Sequence, residues 1–157
     1  MQNHLISCSR VLATALCALA ACADSSAPDT VDCADALLQF APATGDTVTA
    51  AQGLQYIEIT VGSGTAAAQG STVDVNYSGY LLTGNQFDTS CGTPVFRLTL
   101  GAQEVIDGFD LGIRGMQPGG VRRVIVPPSL GYGNVQNGPI PPNSTLVFDI
   151  QLVGLVD

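Results

Sequence analysis

The stretch GNQFDTSCGTPVF, Gly84 to Phe96, sets an aromatic, Phe87, directly beside a carboxylate, Asp88, in a turn-like context, with Cys91 just beyond. A second turn-borne aromatic, Tyr132, lies in SLGYGNVQNGPIPPN. Aromatics at strand ends and turns either line a dry concavity or fill the core of a small domain. For Phe87, Phe96, Phe109, Tyr77, Tyr132 and Phe148 both readings are open on residue type alone. Asp88 is either a pocket carboxylate or the capping side chain of its own turn. Covalent chemistry is poorly provided for. The one histidine is His4, and Cys33 and Cys91 have no histidine or acidic cluster at metal-ligand spacing. Neither a nucleophile–base pair, nor a metal, nor a cofactor is therefore expected.

These side chains need strands to hold them. LQYIEITV from Leu54 alternates, with Ile57, Ile59 and Val61 on one face and Tyr56, Glu58 and Thr60 on the other. TVDVNYSGY sets Val73, Val75 and Tyr77 against Asp74, Asn76 and Ser78. VRRVIVP and STLVFDIQLVG supply further strands, the latter with Leu146, Phe148, Ile150 and Leu152 in period two. Clusters rich in Gly, Pro and Asn separate them. Only EVIDGFDLGIRG has helical spacing, through Ile106, Phe109 and Ile113. Gly108 and Gly112 would each cost that helix roughly 1 kcal/mol relative to alanine, which points to close approach to the sheet. The sum is a small α+β domain of antiparallel strands and one short helix, without internal repeats.

Ahead of it, VLATALCALAA (Val11 to Ala21) is uncharged and mostly apolar after Arg10. It falls short of the roughly twenty residues that a bilayer span needs, but suits the apolar region of an export signal. It ends in LAAC, which resembles a lipobox. Residues 1–21 are thus expected to be a lipoprotein signal peptide with Cys22 lipidated, a plain signal peptide being the alternative. Residues 22–51 read as an acidic tether with a short helix at Cys33–Ala41 capped by Asp32, and residues 52–157 as the folded domain. Ala23 rather than aspartate follows Cys22, which favours the outer membrane, facing the periplasm.

Beyond the signal there is no lysine, and Arg97, Arg114, Arg122 and Arg123 stand against all 13 acids. So acidic a chain has no basic stripe for nucleic acid and is repelled by anionic lipid, so membrane attachment falls to the lipid at Cys22. With Cys8 and Cys17 removed and Cys22 acylated, Cys33 and Cys91 remain as an even pair in an oxidising compartment. A Cys33–Cys91 disulfide is expected.

VDVNYSGYL, FDTS, LGAQEVIDGFDLGIRGM, VRRVIVPPSLGYG and IPPNSTLVFDIQL follow one another with an order and spacing that resemble the FKBP-type peptidyl-prolyl cis-trans isomerases, over about Leu54 to Val156. That resemblance implies a five- to six-stranded antiparallel sheet curved around one short α-helix, with an aromatic pocket between them. It implies catalytic roles for Tyr77, Phe87, Asp88, Ile106, Tyr132 and Phe148, the Ile106 N–H and the Tyr132 hydroxyl binding substrate carbonyls. Substrate-binding roles fall to Phe96, Val105, Phe109 as the floor, and Ile140. The implied activity is X–Pro isomerisation without covalent chemistry, the implied partners proline-containing polypeptides and a macrolide inhibitor. A lipid-tethered peptide-binding chaperone or adaptor is the alternative. Two features depart from the family pattern. The floor is Phe109 where tryptophan is more usual, the chain having Trp 0, and TSCGTPV lacks the arginine that often faces the aspartate.

Overall fold

A computed structural model describes residues 45–156. The expected signal peptide, Cys22, the helix at Cys33–Ala41 and Cys33 lie outside the described residues. Seven strands form one antiparallel sheet. They are β1 (Thr47–Thr49), β2 (Gln55–Thr60), β3 (Thr72–Leu81), β4 (Gln86–Thr89), β5 (Phe96–Thr99), β6 (Val121–Val126) and β7 (Leu146–Val156), with a single α-helix among the described residues, α1 (Asp107–Ile113), between β5 and β6. The order is β1-β2-β6-β7-β3-β4, and β5 pairs with β3 as well.

Two details raise the strand number above the five or six implied by the resemblance. The short β1 adds an edge ahead of the expected domain start at Gln52. The loop carrying Cys91 divides the segment beside β3 into two strands: Ser78–Tyr80 pair with β4, and Thr72–Val75 with β5.

The period-two pattern of β7 works as its residues require. Leu146, Phe148, Ile150 and Leu152 are all buried in the core beside Val73, Val75, Val124 and Val126. Helix α1 closes that core from one face of the sheet, contributing Phe109 and Ile113. Its glycines permit the approach. A Cβ at Gly112 would lie 2.8 Å from both methyls of Val124, and one at Gly108 would collide with Val126 Cγ1. Burial of the sheet's apolar face supplies most of the stabilisation, at about 25 cal/mol per Å².

Strand β2 keeps the two faces expected of it. On the face toward the helix it presents Tyr56, which packs on the core, and Glu58, not Ile57 and Ile59. The cause is Arg122, opposite Glu58 in register. Its guanidinium pairs with Glu58, sits 4.3 Å from the Tyr56 ring centroid, and donates to the carbonyls of Gly112 at 2.7 Å and Arg114 at 3.1 Å. A cation thereby caps the C-terminal end of α1. On the opposite face Arg123 and Asp149 form a buried bidentate pair at 2.6 and 2.7 Å. Among the described residues no helix is long and apolar enough to cross a membrane.

Candidate active site

A cavity of about 200 Å³ opens between the sheet and the N-terminal end of α1. Strand β3 brings Tyr77, β4 brings Asp88, β5 brings Phe96 and β7 brings Phe148. The approach to α1 brings Val105 and Ile106, the helix itself Phe109, and the loop after β6 Tyr132. These residues are far apart in sequence. The hydrogen-bonded register of β3 with β4, β5 and β7 is what assembles them.

The rings meet edge to face. Tyr77 lies 5.3 Å from Phe109 at 78° and 5.6 Å from Phe96 at 66°; Phe109 lies 5.2 Å from Phe148 at 82°. Such T-shaped pairs add about 0.5–1.5 kcal/mol each to simple burial and fix ring orientation. Phe109, 3% exposed, lies at the base of this network.

Phe87 and Ile140 do not border the cavity. Phe87 stands behind the wall, with its ring 5.6 Å from Phe148 at 89°. Both rings occupy the space above Gly79, where a Cβ would lie 2.8 Å from Phe87 and 2.9 Å from Phe148. Ile140 is buried in the core, and its reciprocal backbone bonds with Asn137, 3.0 and 2.9 Å, anchor the loop that carries Tyr132. Both residues therefore support the lining. Glu104, which sequence reasoning passed over, does border the cavity; its position directly before Val105 and Ile106 was the available signal.

Asp88 accepts a hydrogen bond from the Tyr77 hydroxyl at 2.8 Å through Oδ2 and from the Thr89 N–H at 2.8 Å through Oδ1. The turn-like setting expected for this carboxylate is not what forms: Asp88 lies within strand β4, and the pairing of that strand with β3 sets it at the border of the cavity. Arg97 does not substitute for the arginine absent from TSCGTPV. It forks instead onto Asp74, at 2.7 and 2.8 Å, and holds that carboxyl below its usual range, chiefly by hydrogen bonding. Burial, then the hydrogen bond to Asp88, push the Tyr77 phenol above its usual range, so it stays a neutral donor. Cys91, in the loop after β4, is disulfide-bonded.

Two donors at the cavity are unspent. The Ile106 N–H stands at the start of α1, where helical donors lack intrahelical partners, and makes no hydrogen bond among the described residues. The Tyr132 hydroxyl likewise has no partner there, on a residue 37% exposed. A cavity walled by aromatic rings and bordered by free donors suits a chain segment that brings a carbonyl and an apolar ring.

A family model described as FKBP-type peptidyl-prolyl cis-trans isomerase matches residues 63–153. The chain belongs to this family. Among curated relatives it is 46% identical over 111 residues to FK506-binding protein 4 of Dictyostelium discoideum, covering 70% of this chain and 30% of that protein. Among solved structures it is similar to AtFKBP13, with 34% identity, TM-score 0.66, and coverage of 71% of this chain and 99% of that one. It is also similar to FkpA from Escherichia coli, with 36% identity, TM-score 0.63, and coverage of 69% and 51%. The chain thus spans under a third of the length of the D. discoideum relative but nearly all of AtFKBP13. The FKBP fold, an antiparallel sheet with one short helix, is the architecture described above.

Proposed function

We propose that this protein accelerates cis–trans isomerisation of X–Pro bonds in exported polypeptides, with the aromatic cavity as its active site. The observation that carries this reading is the pairing of an aromatic-walled cavity with the two unspent donors, the Ile106 N–H and the Tyr132 hydroxyl. Rotation about X–Pro is slow because it breaks amide resonance, against a barrier of roughly 18–20 kcal/mol. The planar amide is the more charge-separated state. A cavity walled by Tyr77, Phe96, Phe109 and Phe148 withholds the water that stabilises it and so favours the twisted form. The donors hold flanking carbonyls while the bond turns, each contributing about 1 kcal/mol. Asp88 orients the Tyr77 hydroxyl, and no proton is transferred.

The name of the D. discoideum relative supports a macrolide as a competing ligand of the same cavity. The apolar Val11–Ala21 run and LAAC support export and lipidation at Cys22, with the domain tethered to the outer membrane and facing the periplasm. The disulfide at Cys91 supports an oxidising compartment and a pairing with Cys33.

A protease-coupled assay on a short X–Pro peptide tests the activity. Catalysed exchange, inhibited by the macrolide, is the expected result. A peptide that binds without faster exchange would make the protein a holding chaperone instead.

A further inference from the structure

A second cavity, about 240 Å³, shares Val105 with the aromatic one. Successive residues of the approach to α1 divide between the two: Glu104 and Ile106 border the first, Gln103 and Asp107 the second, and Val105 both. The second cavity is polar. Gln69 and Gln103 bring amides, while Asp107, Asp110 and Arg114 bring charge.

Two of those charges cancel. Arg114 Nε donates to Asp110 Oδ1 at 2.7 Å, and Asp110 Oδ2 accepts the Gly101 N–H at 2.5 Å. Arg114 Nη1 also reaches Gln69 Oε1 at 3.5 Å. Asp107 is exposed and has no ion-pair partner among the described residues. One uncompensated carboxylate therefore remains in a cleft otherwise lined by neutral amides, a closed ion pair and the aliphatic surface of Val105 and Leu111. Such a cleft matches a side chain with an apolar stem and a cationic head, which keeps its methylenes on the aliphatic wall and its charge toward carboxylate and water.

We propose that this cleft is an extended subsite: the polypeptide whose proline occupies the aromatic cavity crosses Val105, and the cleft selects lysine or arginine a few residues from the proline. An extended chain advances about 3.3–3.6 Å per residue, so adjacent cavities are bridged within a few positions. The placement of the proline rests on the isomerase reading; the charge preference of the cleft does not.

The test uses the full chain and a set of fluorescently labelled peptides. Each contains one X–Pro bond, with lysine, glutamate or glutamine placed at successive positions on either side. Both kcat/KM and Kd are measured for each. At one side and spacing, lysine should be preferred over glutamate by about two- to fivefold, the size of an exposed ion pair. The preference should fall in about 0.5 M salt. Asp107→Asn should abolish it, Asp107→Glu should retain it, and neither should alter kcat/KM for a neutral peptide too short to cross Val105. Equal affinity for lysine and glutamate peptides at every position would overturn the subsite, as would a lysine preference that survives Asp107→Asn. Absence of turnover on every peptide would instead overturn the isomerase reading, and the Kd values would still decide the cleft.

Discussion

Tyr132 and Phe87 test different parts of the cavity. Tyr132→Phe removes a hydroxyl that has no partner among the described residues, so the fold should be unaffected and only substrate should notice. Losing one such hydrogen bond should lower kcat/KM by about fivefold, equivalent to about 1 kcal/mol. Phe87→Ala should lower it further, because Phe148 loses the ring packed at 89° against it and the wall can relax. Wild-type kcat/KM in both folded variants would remove the cavity assignment. Asp88 bears on proton transfer. Tyr77 has its phenol raised above the usual value by burial and the Asp88 contact. The neutral donor is therefore fully present below about pH 10, and the stability of that contact is lost only as pH rises through the raised value. Without proton transfer, kcat/KM should be nearly constant from about pH 5 to 8, and Asp88→Ala should lose only part of the activity. A bell-shaped profile across that range would contradict it. The register of Phe87 and Asp88 was legible in FDTS, but the inward or outward sense of Phe87 was not. That depends on Gly79 across the sheet, which leaves space for two rings where any side chain would push one aside.

At the scale of elements, the helix–sheet contact carries the floor of the site. Gly108 and Gly112 read from sequence as a helix pressed against a sheet, and that is their position. Gly112→Ala places a methyl 2.8 Å from the Val124 methyls and should destabilise the protein by about 1–3 kcal/mol. It should also weaken substrate binding, since α1 positions both Phe109 and the Ile106 N–H. Thermal unfolding and KM check the two effects separately; an unchanged melting temperature would show that the sheet yields more than its packing suggests. Strand β2 was less legible. Its alternation separated two faces without saying which turns inward; Tyr56 and Glu58 face the helix because Arg122 must reach the α1 carbonyls. A pairing between residues 64 positions apart decides that face, and no local pattern carries it.

For the whole molecule, the covalent feature is the disulfide at Cys91, in the loop beside Asp88. If Cys33 is the partner, the closed loop contributes roughly 4 kcal/mol by restricting the unfolded chain. Intact-mass analysis under alkylation checks this. The expected result is no alkylatable thiol at Cys33 or Cys91 before reduction and two afterwards; two accessible thiols in the unreduced, unfolded chain would rule the bridge out. The central claim is that the cavity turns X–Pro bonds over and does not merely hold them, and exchange NMR on a short X–Pro peptide with substoichiometric full-length protein tests it most directly. Cis–trans exchange cross-peaks should appear well above the uncatalysed rate and be suppressed when a macrolide fills the cavity. Peptide shift changes that report binding, with exchange left at the uncatalysed rate, would contradict that claim.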